Sequence, residues 1–277
     1  QCLPRRFVSP SARGLILLNN SYFYFPNNFR CLGNLEMIPI FGIGYYSINS
    51  PEKRILYIKP NRKYYKNMKA HTSESQATLT PEKALQYLKE GNIRFQNNLK
   101  ANRNLLEQVN DTSDGQFPFA TILSCIDSRV SAELVFDQGL GDIFSVRIAG
   151  NFVNEDILGS LEFACKLAGS KIVLVLGHTA CGAIKGACDD AKMGNLTAMI
   201  SKIKPAVNAV QEPKDESLRN SKNAEFVDAV SETNVHMAIA NIRSQSPILK
   251  EMEDKNEIQI YGGMYDINTG AVDFFHE

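Results

Sequence analysis

The stretch Phe119-Ala120-Thr121-Ile122-Leu123-Ser124, followed at once by Cys125-Ile126-Asp127-Ser128-Arg129, decides the fold. A short, largely apolar run that stops at a polar turn reads as a strand buried on both faces. Ile143 to Ala149 reads as a second strand with more alternation, and Lys171 to Gly177 as a third, rich in β-branched residues. A short helix is expected between the first two, around Ala132 to Phe136. Between the second and third, Asp156 to Leu167 carries Ile157, Leu158, Leu161 and Ala164 or Cys165 on one stripe, with Gly169 placed to end the helix. Strands alternating with helices imply a parallel sheet with crossover helices.

Working upstream, Thr80 reads as an N-cap, Pro81 as the first helical residue, and Ala84, Leu85 and Leu88 as a buried stripe ending near Gly91. Downstream, helices are expected over 197–210 and 223–243, the latter with Val227, Val230, Val235, Ile239 and Ile242 facing the core. Residues 257–275 read as two extended segments about the turn Asn268-Thr269-Gly270. The fold class expected is α/β: a mostly parallel central sheet with flanking helices, an antiparallel strand near the C-terminus and a helical N-terminal arm. Residues 1–67 are rich in Asn, Tyr, Phe and Ile yet hold no sustained period. They read as a poorly structured leader, or as sequence upstream of a natural start at Met68, ahead of a domain over 68–277. The apolar stretch after Arg13 is short and lacks a cleavage pattern, so no secretory signal is expected.

Lys+Arg and Asp+Glu are equal at 30 each, so no overall field draws the 277-residue chain to nucleic acid or an anionic membrane. The basic group Lys192, Lys202 and Lys204 is too small to change that reading. No apolar run nears the roughly 20 residues of a membrane-spanning helix. Six irregularly placed cysteines do not form a disulfide framework; they suit free or metal-bound thiols in a reducing compartment, so a cytoplasmic location is expected. Cys165 and Cys188 read as packed thiols, and His71, His236 and His276 as ordinary exposed or satisfied histidines.

The chemistry gathers at strand ends. Cys125 closes the first strand, and His178 with Cys181 closes the third, so their side chains meet at the carboxyl edge of a parallel sheet, where such sheets place their sites. Alone, a cysteine after a strand is a small buried hydrophobe. Together, thiolate, imidazole and thiolate form a set suited to zinc, with a fourth position left for water. Asp127 can reach that metal, while Arg129 can hold the same carboxylate in a bidentate pair and keep it off.

Cys125-Ile126-Asp127-Ser128-Arg129 and Gly177-His178-Thr179-Ala180-Cys181-Gly182 resemble the paired signatures of the β-class carbonic anhydrases. The likeness extends through Arg147-Ile148-Ala149-Gly150-Asn151 and the Tyr-Gly-Gly-Met-Tyr-Asp strand at 261–266, covering roughly 80–275 and none of the leader. It implies reversible hydration of carbon dioxide to bicarbonate and a proton through a zinc-bound hydroxide, with one Zn2+ per subunit on Cys125, His178 and Cys181. Asp127 then either completes the tetrahedron or orients the hydroxide while paired to Arg129. The resemblance also implies that Gln116 hydrogen-bonds substrate, that Phe144, Ala149 and Phe163 line an apolar pocket, and that Gly182 offers a backbone N–H. Part of this lining comes from a neighbouring subunit in the family, so a dimer or tetramer is expected. Ile122 stands where a bicarbonate-inhibited subgroup has Trp, which with Gln116 points to the plant-like subgroup with an open water site. Phe163 replaces a common Tyr, removing one hydroxyl contact. Two rivals use the same residues: a carbon disulfide or carbonyl sulfide hydrolase, and a non-catalytic domain whose zinc is closed by Asp127.

Overall fold

The computed structural model describes residues 68–275 and, earlier in the chain, the backbone of strands Leu15–Leu18, Ser21–Tyr24, Leu35–Ile40, Ile43–Asn49 and Arg54–Ile58. The first two strands pair antiparallel, as do the third with the fourth and the fourth with the fifth. They belong to one unit, Gln1–Tyr65, and Lys66–Glu277 forms another. The expectations about the leader and a start at Met68 otherwise fall outside the described residues, as does His276.

The second unit opens with three helices, α1 (Ser73–Ala77), α2 (Pro81–Gln96) and α3 (Leu105–Asp111). Thr80 caps α2 by accepting the Lys83 N–H, as its position before Pro81 demands. The helix does not stop near Gly91 but runs to Gln96. Gly91 is there for contact: a Cβ would collide with the carbonyl of Phe136, so glycine permits a close helix approach instead of ending the helix.

Next come β1 (Ala120–Ser124), α4 (Ala132–Val135), β2 (Ile143–Arg147) and α5 (Glu155–Glu162), which passes into a π-helical turn, Phe163–Leu167. Strand β3 (Ile172–His178) leads to α6 (Gly182–Cys188), α7 (Gly194–Ser201) and α8 (Lys204–Ala209). The single helix expected over 197–210 is thus two. Pro205 has no N–H to donate and its ring would strike the carbonyl a turn earlier, so it is accommodated only in the first turn of α8. The last elements are α9 (Ala224–Gln245), α10 (Pro247–Asp254), β4 (Gln259–Tyr265) and β5 (Val272–Phe275). Ser246 both ends α9 and caps α10 by accepting the Leu249 N–H, with Pro247 leading the new helix. No helix among the described residues is long and apolar enough to cross a membrane.

The sheet order is β5-β4-β3-β1-β2, parallel except for β5, which runs antiparallel to β4. Alternate residues of β1 and β3 feed opposite faces. Leu123, Val173 and Val175 pack with Leu161, Ile239 and Ile242 on one side. Ile122, Leu174 and Leu176 pack with Leu88, Phe119 and Phe136 on the other. In register, Ser124 lies opposite both Arg147 and Leu176, and His178 opposite Tyr265, so four parallel strands end together.

The N-terminal helices are fastened by Asp137, which accepts from Arg94 Nε, from Arg103 Nη1 at 2.8 Å and from the Ala101 N–H at 3.0 Å. Burial works to raise its carboxyl pKa, but Arg94, the Ala101 N–H and the charges of Arg103 and Arg94 outweigh that and leave it lowered. Asp137→Asn strips the Arg103 guanidinium, 6% exposed, of its close counter-charge and leaves it only Asp142, 4.0 Å from Nε. The expected cost is about 3 kcal/mol in chemical denaturation at neutral pH. Because the folded pKa is depressed, the contribution is full above the unfolded value near 4 and fades as pH falls through the folded one. Parent and variant should therefore converge in acid, and a constant difference down to low pH would contradict this account.

Candidate metal centre

Cys125 follows the last residue of β1, His178 is the last of β3, and Cys181 is the N-cap of α6. Thr179 donates its N–H to the Tyr265 carbonyl at 3.0 Å, and its hydroxyl accepts the Ile267 N–H at 3.1 Å, tying the turn to the end of β4. Ala180 then takes a left-handed backbone, φ +54°, which turns Cys181 back toward Cys125. The two sulfurs lie 3.9 Å apart, and the three ligand atoms all fall within 4.8 Å of one another. All three side chains are buried.

The imidazole fixes the chemistry of this cluster. His178 Nδ1 donates to the Thr179 carbonyl at 2.9 Å, so Nε2 carries the lone pair, and Nε2 is buried without a hydrogen-bond partner among the described residues. An unsatisfied buried acceptor costs roughly 1–3 kcal/mol, and a cation between it and the sulfurs would satisfy it. The sulfurs are too far apart for a disulfide, whose bond is about 2.0 Å. Tetrahedral zinc with thiolate bonds of about 2.3 Å spaces its sulfurs about 3.8 Å apart, which matches the observed separation. The residues therefore fit zinc.

Their electrostatics agree. The Cys181 thiol donates to Cys125, and with the Gly150 N–H, 3.4 Å from Cys125 Sγ, draws the Cys125 thiol down to about 4 despite burial. Cys181 is pushed the other way, by that same hydrogen bond, by burial and by the Cys125 charge, while the Ala183 and Ile184 N–H groups at the start of α6 partly offset this. The pair sheds one proton easily and holds the second. A bound divalent cation removes the opposition to the second charge. Elsewhere, burial pushes Cys165 up to about 12 and Cys188 up to about 11, leaving both as inert packed thiols.

Asp127 stands beside the cluster and outside it. Arg129 grips the carboxylate in a fork, Nε to Oδ1 at 2.9 Å and Nη2 to Oδ2 at 2.7 Å, and its backbone N–H adds a third bond to Oδ1 at 3.0 Å. Arg129 therefore holds the Asp127 carboxyl far below the usual carboxylate range. Oδ2 lies 4.0 Å from His178 Nε2, beyond hydrogen-bonding reach but facing the same point. Of the two roles expected for Asp127, this geometry is that of the carboxylate paired to Arg129.

Arg147, to which sequence reading assigned no role, donates to the carbonyls of Cys125 at 3.0 Å and Asp127 at 2.7 Å. Its place at the end of β2, opposite Ser124, was the available signal. Gly150, φ +80°, has no room for a Cβ because Ile203 fills that space, so only glycine can bring its N–H to Cys125.

The pocket residues divide. Ala149, just before Gly150, and Gly182, beside Cys181 with open space above it, lie at the metal edge. Gln116 does not: it is exposed and precedes β1, while Cys125 follows that strand. A strand of this length separates the two edges by about 16 Å at roughly 3.3 Å per residue. Phe144, opposite Thr121 early in β1, forms an edge-to-face pair with Phe163 at 6.3 Å, and Phe163 is half exposed. His71 packs on Tyr87 and Phe119 at the far edge, and His236 stacks on Phe275.

A buried cysteine–histidine–cysteine centre at the carboxyl edge of a parallel sheet, flanked by an arginine-held carboxylate, defines an α/β metal-site enzyme. Comparison with known proteins narrows the class. A family profile described as carbonic anhydrase matches residues 120–272. Carbonic anhydrase 2 of Mycobacterium tuberculosis is 32% identical over 196 residues, which cover 69% of this chain and 90% of that one. Beta carbonic anhydrase 3 of Arabidopsis thaliana is 28% identical over 209 residues, covering 69% and 77%. The solved β-carbonic anhydrase of Coccomyxa in complex with acetazolamide superimposes with a TM-score of 0.52 and 26% identity, over 59% of this chain and 74% of that one. The chain belongs to the β class of the carbonic anhydrase family and is a carbonic anhydrase.

Proposed function

We propose that the chain interconverts carbon dioxide and bicarbonate with one zinc ion held by Cys125, His178 and Cys181. The observation that carries the zinc reading is the buried, partnerless His178 Nε2 aimed at two sulfurs 3.9 Å apart. When bound, zinc supplies Lewis acidity that makes a water nucleophilic near neutral pH.

The rest is the work of side chains. Carbon dioxide is apolar and weakly basic, so it offers little to grip, and rate must come from an oriented nucleophile. Asp127 Oδ2, immobilised by Arg129, accepts the hydrogen of the attacking water and turns its lone pair toward carbon. Arg147 keeps the Cys125–Asp127 backbone from swinging. Gln116 steadies the developing carboxylate oxygen, and since its own chain holds it at the opposite sheet edge, a second copy of the chain supplies it. Phe144 on edge strand β2, paired with half-exposed Phe163 on the π-helical turn, serves as apolar lining at that same junction. The active form in this reading is a homodimer or larger.

Stopped-flow hydration on protein of measured zinc content tests the reading. Activity should track zinc at one ion per chain. It should also rise from acid to alkaline pH, because the nucleophile must lose a proton while Asp127, ionised far below neutrality, remains an acceptor throughout. A flat profile, or full activity in zinc-free protein, would count against it.

A further inference from the structure

Helix α9 carries three polar side chains, Asp228, Ser231 and Asn234, spaced three residues apart along a helix whose neighbouring positions Val227, Val230 and Val235 are buried in the core. Asp228 Oδ1 accepts the Ala180 N–H at 2.9 Å. The Ser231 hydroxyl donates to the His178 carbonyl at 3.1 Å. Asn234 Nδ2 donates to the Gly150 carbonyl at 2.8 Å, and Gly150 in turn donates to Cys125 Sγ. Ser231 and Asn234 are almost fully buried. One helix thus holds, through polar side chains, the Ala180 N–H beside Cys181, the His178 carbonyl, and the Gly150 peptide that donates to Cys125.

We propose that α9 is the positioning bracket of the metal centre and that Asp228 is its decisive positioning residue, an inference that rests on the zinc reading above. Ala180 stands between ligands His178 and Cys181 in a left-handed conformation, which costs an L-residue about 1–2 kcal/mol. Alanine has no side chain of its own to offset that cost, unlike asparagine. The Asp228 acceptor offsets it from outside, and the left-handed turn is what returns Cys181 to face Cys125. Without it the turn relaxes and Cys181 leaves its place. Partners that orient ligands typically change metal affinity 10–100-fold when removed.

The experiment is the rate of zinc transfer from the holoenzyme to a chromogenic chelator. Asp228→Ala should release zinc about 10–100-fold faster than the parent. Asp228→Asn, which keeps a carbonyl oxygen for the Ala180 N–H, should stay within about threefold of it. The zinc-free forms of parent and variants should unfold at similar temperatures, which separates positioning from general stability. Ser231→Ala, which removes a single contact, should speed release several-fold and keeps the idea testable if Asp228→Ala does not fold. Parental release from Asp228→Ala or from Ser231→Ala, or release from Asp228→Asn as fast as from Asp228→Ala, would overturn the bracket while leaving the zinc reading intact. A parent that takes up no zinc would overturn both.

Discussion

His178→Ala is expected to contain no zinc and to hydrate carbon dioxide no faster than buffer, the largest loss any single change in this chain should cause. Two sulfurs 3.9 Å apart remain, but the buried lone pair that completes the set is gone. With two protein ligands in place of three, the site falls below the number that holds a zinc beside its open water position. Stability falls with the metal. At free zinc near 1,000 times its dissociation constant, binding contributes about 4 kcal/mol to the folded state, and the variant lacks all of it. Cys125→Ser and Cys181→Ser should behave alike, since a hydroxyl does not replace a thiolate toward zinc. The control is the chelated parent. If metal loss explains the effect, thermal unfolding of His178→Ala should resemble that of the zinc-free parent apart from the cavity left by the missing ring. Parental turnover in His178→Ala would remove the basis of the whole site.

How much of this was legible in the sequence depended on whether one residue's neighbours were local. Strands β1 and β3 are buried along their whole length, so their composition alone marked them, and parallel pairing then brought Cys125, His178 and Cys181 to one edge. The Asp127–Arg129 fork was legible because its partners are two residues apart. Gly91 misled: a glycine that admits a neighbouring helix looks in sequence like one that ends its own. Pro205 split a helix whose apolar content continued across it. Arg147 and the α9 residues escaped because their partners are backbone atoms 20 to 84 positions away, which no local pattern encodes. The interruption of a valine stripe by Asp228, Ser231 and Asn234 was the trace they left. Gln116 could be read only through the resemblance, and the fold explains why: it lies before β1, at the sheet edge opposite Cys125.

Asp127→Asn is expected to keep its zinc and lose turnover by about 10²–10³-fold, the size of effect seen when one preorganised hydrogen-bonding group is removed from an active site. Zinc stays because Cys125, His178 and Cys181 form the ligand cluster without Asp127. Turnover falls for a geometric reason. The carboxylate accepts from Arg129 at both oxygens, and an amide has only one. If its oxygen stays at the Oδ1 position, its NH2 meets Arg129 Nη2 donor to donor and points at the nucleophile as a donor where an acceptor is needed. If the amide flips, the two bonds to Oδ1 are lost and the side chain swings. Either way the lone pair of the attacking water is no longer directed. Folding stability should change little, because the Arg129 side of the pair is half exposed and screened by solvent. The pH arm follows from the direction of the shift: a carboxyl held far below its ordinary value stays ionised until strongly acid conditions, so Asp127 adds no limb to the parent's profile between neutral and alkaline pH. The variant should therefore lie below the parent by a constant factor across that range, with the same shape. Arg129→Lys, which retains charge but loses the two-pronged grip, should fall between them. Zinc analysis and stopped-flow hydration on the same samples decide the matter: an asparagine variant with full zinc and parental turnover would show that the carboxylate neither gates nor orients anything.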